Sequence, residues 1–415
     1  MDDRPHFRPV EVFPIQQDGK TFVCLRDPQH FSPPLVVSPV GYFILYHMDG
    51  RHTLVDIQAA YSRNFGRLLL SEELEEFIQM MDENHYLFSE RFLAHRRRVI
   101  EAFRRQITRS PAHVGGAYKQ EPAELSAQLH GYFLSSEGPG LPDALGSDPP
   151  PKAVVAPHID FHRGGPCYAW AYREIIDSEG ADLYVLLGTS HCAGESPFVA
   201  TLKDFETPLG LVETDREFVN GLQTLVGADL TADEFLHRSE HSLEFQVVFL
   251  RYAAHLRAER GLPFRPFKIV PILVTSFHSM VQSRTLPEKD PRIGGFLKAL
   301  SGMVEREKRR VCFIAGVDFA HVGPQFGDSE AATASFLEWV EAEDRLLIES
   351  LAASDPAGFF QEIAKDQDRR RICGFSPLYS LAHLLRGSPG KLIKYSQTFT
   401  AETASTVTFA SMVYE

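Results

Sequence analysis

The sequence predicts an α/β protein in which a layered, mostly parallel or mixed sheet is flanked by helices, preceded by a small α+β domain. Beyond residue 152, short apolar runs alternate with longer helical patterns. Runs that are apolar throughout are typical of strands covered on both faces, and helices between them favour parallel neighbours. The strand candidates are residues 153–156, 183–187, 269–274, 311–317 and 406–413.

The bulk composition is that of a soluble globular chain. Its 415 residues are 44% hydrophobic and 23% charged, enough for two or three domains with sizeable cores. The formal charge of -13 repels phosphates, so we expect neither nucleic acid nor a membrane surface as a partner. No apolar run approaches the roughly 18 residues that span a bilayer, and no leader-like segment opens the chain, so we expect a cytoplasmic protein.

The N-terminal region reads as a domain of its own. Residues 10–25 are β-rich, Thr53 suits the cap of a helix over 54–64, Ser71 suits the cap of the next, and 86–88 suits a closing strand. This order resembles the PqqD-like winged-helix modules that bind peptides, in which a peptide adds to a strand edge. The alternative is a helical accessory domain.

Three segments are therefore predicted. Residues 1–94 form the winged-helix-like (PqqD-like) accessory domain, and 152–415 form the α/β domain. Between them, 95–151 hold a basic connecting helix and a linker rich in Pro and Gly, which break regular structure. The five cysteines are widely spaced without a CxxC pair, which argues against a disulfide framework or a structural zinc ribbon.

Polar clusters follow the predicted strands, where open α/β sheets hold their ligands. Because Pro157 opposes helix, extended geometry is predicted to point His158, Asp160 and His162 to one side. A glycine turn after the second strand exposes His191-Cys192, and Asp318 and His321 follow the strand over 311–317. These further candidates are His191, Cys192, Asp318 and His321.

Two helix starts carry further candidates. Ser239 suits the cap of a helix on which His241 and Glu244 share a face, with Glu240 beside them. Cys373 precedes Ser376-Pro377, which suit the cap and first position of a helix. A helix N-terminus favours thiolate, the form that binds metal; the alternative is a packed cysteine.

The joint motif resembles the Memo family, which includes the AmmeMemoRadiSam system protein B. It consists of Pro157-His158, Gly188-x-Ser-His191, Glu240-His-Ser-x-Glu244, Asp318-Phe-x-His321-x-Gly and Ile372-Cys373-Gly. The resemblance implies a fold like that of the LigB-like class III extradiol dioxygenases, which use non-heme iron.

Site residues follow from that resemblance. The metal ligands would be His158, His191 and Cys373, holding iron(II), with copper or zinc as alternatives. The catalytic candidates beside them are His241, Glu244, Asp318 and His321. The chain departs from the family where Asp160 and His162 add a carboxylate and an imidazole, and where Cys192 replaces a histidine. Those three residues and Glu240 are candidates for the surroundings of the ligands.

Three functions remain open at this point. The first is a metal-dependent redox protein, a non-heme iron dioxygenase or other oxidoreductase, acting on a small molecule. The second is a non-catalytic metal-binding scaffold that acts with a radical-SAM protein or a peptide. The third is a zinc-dependent hydrolase, because Asp, His and Glu near a metal also suit hydrolysis.

Overall fold

The computed structural model describes residues 3–141 and 148–415, which form two compact units. The first unit holds the described residues up to 106 together with 327–329 and 400–404, and the second holds the remainder. Residues 142–147 of the predicted linker lie outside the described part of the chain. Among the described helices, none has both the length and the apolar character needed to cross a membrane.

The first unit packs helices around its own core beside a small antiparallel sheet, in the order β1–β2–β3. Its elements are β1 (Glu11–Gln17), β2 (Lys20–Arg26), β3 (Leu35–Val37), α1 (Pro39–Tyr46), α2 (Leu54–Phe65), α3 (Ser71–Glu83) and α4 (Glu90–Arg105).

Helix starts in the first unit follow the sequence prediction closely. Thr53 caps α2 as predicted, in a reciprocal pair of hydrogen bonds with Asp56. Helix α3 already includes Ser71, so the predicted cap is wrong by one position and Leu70 takes it. The closing strand predicted over 86–88 is also wrong, because the segment makes a single bridge from Leu87 to Phe7.

The second unit alternates strands and helices along most of its length. Its elements are β4 (Thr108–Arg109), α5 (Pro122–Leu134), β5 (Ala153–Ala156), α6 (Phe161–Ile176), β6 (Leu183–Thr189), β7 (Phe198–Ala200), β8 (Asp204–Thr207), β9 (Gly210–Val212), α7 (Arg216–Val226), α8 (His241–Glu259), β10 (Lys268–Val274), α9 (His278–Ser283), α10 (Pro291–Arg306), β11 (Val311–Gly316), β12 (His321–Val322), α11 (Ala334–Ala352), α12 (Pro356–Lys365), α13 (Phe375–Leu384), β13 (Gly390–Thr400) and β14 (Ser405–Tyr414).

A mixed sheet of eight strands, counted over the described residues, forms the centre of the second unit. Its order is β12–β14–β5–β11–β6–β10–β7, with β13 paired to β14. Strands β5, β11, β6 and β10 are parallel, whereas β14 and β7 run antiparallel to their neighbours. All five predicted strands are present, and the predicted α/β layered fold is confirmed.

Alternation along the strands explains why each reads as apolar throughout. Val185 and Leu187 of β6 pack with the core around α10 to α13, and Leu186 packs with the core around α5, α6 and α8. Successive side chains of a strand point to opposite faces, so a sheet covered on both sides needs apolar residues at every position.

The register brings the carboxyl ends of the parallel strands to one edge. Gly316 of β11 pairs with Ala156 of β5 and with Gly188 of β6, and Thr189 pairs with Val274 of β10. Residues that follow these strands therefore emerge side by side, which is the physical reason that distant polar motifs meet.

Candidate metal centre

The imidazole of His158 is held by the sheet edge in one tautomer. His158 follows β5 after Pro157, and its backbone N donates to Asp318 Oδ1 at 2.9 Å. Its Nδ1 lies 3.0 Å from the carbonyl oxygen of Gly316, which can only accept, so Nδ1 carries the proton. Burial lowers the pKa of His158 to about 3, so the ring is neutral at neutral pH. Its Nε2 therefore presents a lone pair.

His191 is oriented by a carboxylate. It follows β6, and both its backbone N (3.0 Å) and its Nδ1 (3.0 and 3.1 Å) contact the carboxylate of Glu240. Because a carboxylate accepts, Nδ1 of His191 donates and Nε2 is left for another partner. A carboxylate that orients a histidine through its far nitrogen is the usual support for a metal ligand.

His241, the first residue of α8, shares the same carboxylate. Its Nδ1 lies 3.3 Å from Oε1 of Glu240. Burial alone would raise the pKa of Glu240, but His191 and His241 hold it well below its ordinary value. Glu240, and not Ser239 as predicted, caps α8, because its side chain accepts from the backbone N of Ser242 at 3.0 Å.

Helix α8 is fixed to the ends of the strands. Ser242 Oγ donates to the carbonyl of Thr189 at 2.8 Å, and Gln246 Nε2 donates to the carbonyl of Pro157 at 2.8 Å. The close packing requires Gly188, where a Cβ would meet Ser242 Oγ at 2.6 Å. The start of the helix, with Glu240 and His241, is thereby held against the sheet edge.

The three imidazoles meet at that edge. Ring centroids are 4.9 Å apart for His158 and His191, 5.2 Å for His158 and His241, and 4.7 Å for His191 and His241. One ring nitrogen from each lies within 4.8 Å of the other two, close enough to hold one ion. We refer to His158, His191 and His241 as the histidine centre.

Cys373 lies against the histidine centre. Its Sγ is 3.2 Å from Nε2 of His158 and 3.6 Å from the carbonyl of Asp318. Gly374 permits this approach, since a Cβ there would meet the Asp318 carbonyl at 2.6 Å. Burial, with the Asp318 carboxylate, raises the pKa of the thiol well above its ordinary value, so only a bound cation would favour thiolate.

The helix after Cys373 starts earlier than predicted. Gly374 takes the cap position of α13, and Ser376 and Pro377 lie inside its first turn. Ser376 Oγ instead accepts from the backbone N of Phe277 at 2.9 Å. The predicted cap is therefore wrong by two positions, although Cys373 does precede a helix N-terminus.

Asp318 and His321 complete the polar surroundings. Asp318 Oδ2 is 3.6 Å from Nε2 of His158, and burial raises the pKa of Asp318 to about 6. His321 Nδ1 donates to the carbonyl of Phe319 at 3.1 Å, and burial lowers the pKa of His321 to about 4. At neutral pH the first is an ionised carboxylate and the second a neutral imidazole.

Glu244 belongs to a network that no sequence pattern predicted. Its carboxylate accepts from Arg109 Nη1, from the backbone N of Ala112 and His113 at 3.0 Å, and from Tyr118 Oη at 2.5 Å. His113 also places its ring 5.5 Å from that of His241. No sequence pattern near Arg109 predicts its contact with Glu244, because the two residues lie 135 positions apart.

Asp160, His162 and Cys192 are the remaining candidates for the surroundings of the ligands. The extended geometry predicted through His162 is wrong, because Asp160 caps α6, which begins at Phe161. The Asp160 carboxylate lies 2.6 Å from Arg163 Nε, and His162 is exposed. Cys192 is half-buried, and its carbonyl accepts from Ser190 Oγ at 2.8 Å. Their roles around a metal stay predictions.

The donor set fits a transition metal. Imidazoles whose far nitrogens contact acceptors, beside a thiol, suit iron, copper or zinc better than they suit magnesium or calcium. The fold and this centre define an α/β protein with a candidate metal site where its parallel strands end.

Comparison with known proteins identifies the family. The family model described as "Memo-like protein" matches residues 109–413. The chain is 31% identical to a MEMO1 family protein of Aquifex aeolicus over 408 residues, covering 98% of this chain and 99% of the relative. It is 29% identical to the MEMO1 family protein MK0963 of Methanopyrus kandleri, over 74% of this chain and 98% of that protein. The chain belongs to the Memo family.

Proposed function

We propose that the protein is a metal-dependent redox protein whose histidine centre, with Cys373, holds iron(II) and acts on a small molecule. The observation that carries the proposal is that three imidazoles, one of them in contact with a thiol, lie together at one sheet edge. One ring nitrogen from each of His158, His191 and His241 lies within 4.8 Å of the other two, and the Sγ of Cys373 lies 3.2 Å from Nε2 of His158.

Donor chemistry supports iron, and copper next. A thiolate among imidazoles selects softer metals than oxygen ligands do. Bound iron(II) would supply open coordination positions for a substrate or dioxygen and a one-electron redox couple. His158, His191 and Cys373 would hold it, and His241 offers a further imidazole beside them.

The residues around the proposed ligands would orient the imidazoles and accept protons. Glu240 fixes His191 and His241 in position through one carboxylate. Asp318, with its pKa raised to about 6, can accept a proton, and His321 is neutral at neutral pH and offers its Nε2 as an acceptor. The Asp318 carboxylate lies 3.6 Å from Nε2 of His158, so a proton acceptor would stand beside a proposed ligand.

The test is anaerobic purification and reconstitution with iron(II), followed by metal analysis, electron paramagnetic resonance and oxygen uptake with catechol-like and thiol substrates. We expect stoichiometric iron and an oxygen uptake that His158→Ala abolishes. Protein that holds no stoichiometric iron or copper would contradict the proposal. Iron retained without turnover of any substrate would instead favour the scaffold function.

A zinc-dependent hydrolase is the second candidate, because three histidines are also a donor set of catalytic zinc. Metal analysis separates the two. Stoichiometric zinc in protein purified from unsupplemented cells, with ester or amide hydrolysis and no oxygen uptake, would replace the redox proposal.

A further inference from the structure

A further imidazole, that of His113, lies against the histidine centre. Its ring centroid is 5.5 Å from that of His241, and the two ring planes are inclined at 69°. His113 is half-buried and belongs to the segment between β4 and α5, which carries none of the proposed metal ligands. The contact with His241 is therefore made by a part of the chain to which the proposed function assigns no role.

Two hydrogen bonds hold His113 against the start of α8. Its backbone N donates to Glu244 Oε1 at 3.0 Å, and its ring Nε2 lies 2.9 Å from the carbonyl oxygen of Ser239. A carbonyl oxygen only accepts, so Nε2 carries the proton and donates. Because one bond fixes the backbone and the other fixes the end of the side chain, the His113 ring has little freedom to turn.

The segment that carries His113 is a closed turn. The carbonyl of His113 accepts from the backbone N of Ala117 at 2.9 Å, and the backbone N of Gly115 donates to the carbonyl of Tyr118 at 2.7 Å. The Tyr118 hydroxyl donates to Glu244 at 2.5 Å. Both ends of the turn are thus bonded to the same carboxylate of α8, which makes it a firm support for the ring.

The polar contact of His241 fixes only one corner of its ring. Its Nδ1 lies 3.3 Å from Oε1 of Glu240, an atom that also contacts Nδ1 of His191. A contact at a single ring atom does not set the plane of the ring. The packing around His241 must therefore decide where its other nitrogen points.

Three aromatic neighbours set that plane. His191 stacks on His241 with 18° between the rings, and Phe245, one turn further along α8, lies 5.4 Å away at 57°. His113 meets His241 edge-on and also lies 5.7 Å from Phe245 at 75°. Offset-stacked and edge-to-face arrangements are the ones that aromatic pairs favour. Of these three neighbours, His113 is the one that lies neither on α8 nor among the proposed ligands.

We propose that His113 is a positioning residue for His241. Its ring, held by its two hydrogen bonds, fixes the plane of the His241 ring so that one nitrogen of His241 faces the other two histidines of the centre. The inference rests on the proposed function for what His241 does beside a metal. The hold on the ring itself is present in the metal-free protein.

The test uses two variants that divide the side chain of His113 into its parts. His113→Gln keeps a donor for the Ser239 carbonyl without a ring, and His113→Phe keeps a ring without the donor. We expect His113→Gln to weaken iron(II) binding about tenfold, measured under nitrogen by competition with a coloured chelator, because supporting residues have effects of this size. It should also alter the visible absorption of the cobalt(II)-substituted protein, which reports ligand geometry. His113→Phe should retain most of the affinity and the spectrum.

The matched control is His130→Gln. His130 is another half-buried histidine of the second unit, and its Nδ1 lies 3.2 Å from Tyr252 Oη on α8. This variant should change neither the iron affinity nor the cobalt spectrum. Unchanged affinity and spectrum in His113→Gln, even with lower stability, would overturn the inference. A loss in His113→Phe equal to that in His113→Gln would overturn the assignment to the ring.

A measurement without metal separates this inference from the proposed function. In protein labelled with nitrogen-15 histidine, the ring signals of His241, assigned with His241→Gln, should form one sharp set in the unaltered protein and in His113→Phe. They should broaden or double in His113→Gln. Broad or doubled signals in the unaltered protein would overturn the inference whether or not the variants fold. Unaltered protein that binds neither iron nor copper contradicts only the proposed function, whereas iron binding with unchanged ring signals in His113→Gln contradicts only the inference.

Discussion

Two glutamates one turn apart at the start of α8 have opposite surroundings. Glu244 is enclosed by donors from the segment 109–118, and one of them, Arg109, also donates to the backbone carbonyl of Glu240 at 2.9 Å. Glu240 contacts His191 and His241 through their Nδ1 atoms, which directs the far side of each ring to the histidine centre. The same residue type thus closes one polar region and leaves the other ready for a ligand.

The difference shows what separates a structural polar network from a chemical site. A buried carboxylate needs compensation in either case, because desolvating a charge is costly. Around Glu244 the compensation is a fixed cation, Arg109, whose charge never changes. Around Glu240 it comes from imidazoles, which can bind a metal or exchange a proton.

Removing the fixed cation should have the largest effect on stability. Arg109 and Glu244 are 1% and 2% exposed, so Arg109→Ala leaves a buried, uncompensated carboxylate. We expect a loss of about 3–5 kcal/mol in the free energy of unfolding, measured by urea titration. The control is Arg345→Ala, which breaks an exposed pair with Glu341 and should cost only about 0.3–0.5 kcal/mol. Equal losses in the two variants would refute the structural role of the network.

Metal binding to the histidine centre should stabilise the folded state. A metal that binds only the folded protein adds about 2.7 kcal/mol at a free concentration one hundred times its dissociation constant. Thermal unfolding of metal-free protein with and without iron(II) under nitrogen measures this. Magnesium at the same concentration should have no effect, because imidazole and thiol are poor ligands for it. An unchanged melting temperature with iron would argue against a metal site in the folded protein.

Exchanging the two glutamates for glutamine should separate their roles. Glu240→Gln should weaken metal binding about 10- to 100-fold, or about 1.4–2.8 kcal/mol, because the amide orients His191 and His241 less well. Glu244→Gln should lower stability with little change in metal affinity. Competition with a coloured chelator measures both affinities. Equal loss of metal affinity in the two variants would mean that Glu244 acts with the site, as the sequence analysis predicted.

The effect of pH on stability, expressed per pH unit, is expected to be smaller. His237 lies beside the network, since its carbonyl accepts from Arg109, and burial lowers the pKa of its ring to about 4 from an ordinary value of 6.5. As pH falls between those values, the unfolded chain binds a proton that the folded protein does not, so stability falls. His237→Gln should reduce this loss by up to about 1.4 kcal/mol per pH unit, measured by urea titration from pH 7 to pH 4. Parallel stability curves for the two proteins would contradict it.

The meeting of His158 and His191 was predictable from the sequence, and the network around Glu244 was not. His158, His191 and Asp318 follow parallel strands, so an apolar run and its end sufficed to bring them together. Arg109 and Tyr118 lie in a segment with no apolar period, and only the fold brings them to Glu244. Their network therefore left no pattern in the sequence.

Helix starts were predicted only to within one or two residues, because neighbouring side chains compete for the same cap position. At α8 the Glu240 carboxylate reaches the backbone N of Ser242, and Ser239 does not cap. At α13 Ser376 bonds to Phe277 instead of capping its own helix. Propensity ranks the candidates, but the neighbouring chain decides which side chain is available.

His158 should contribute to one ion site per chain. Mass spectrometry of metals after anaerobic reconstitution and desalting tests it most directly, with His162→Ala as the control because His162 is exposed four residues further along. We predict about one iron per chain in the unaltered protein and in His162→Ala, and almost none in His158→Ala. Iron retained in His158→Ala at the level of the unaltered protein would contradict the account.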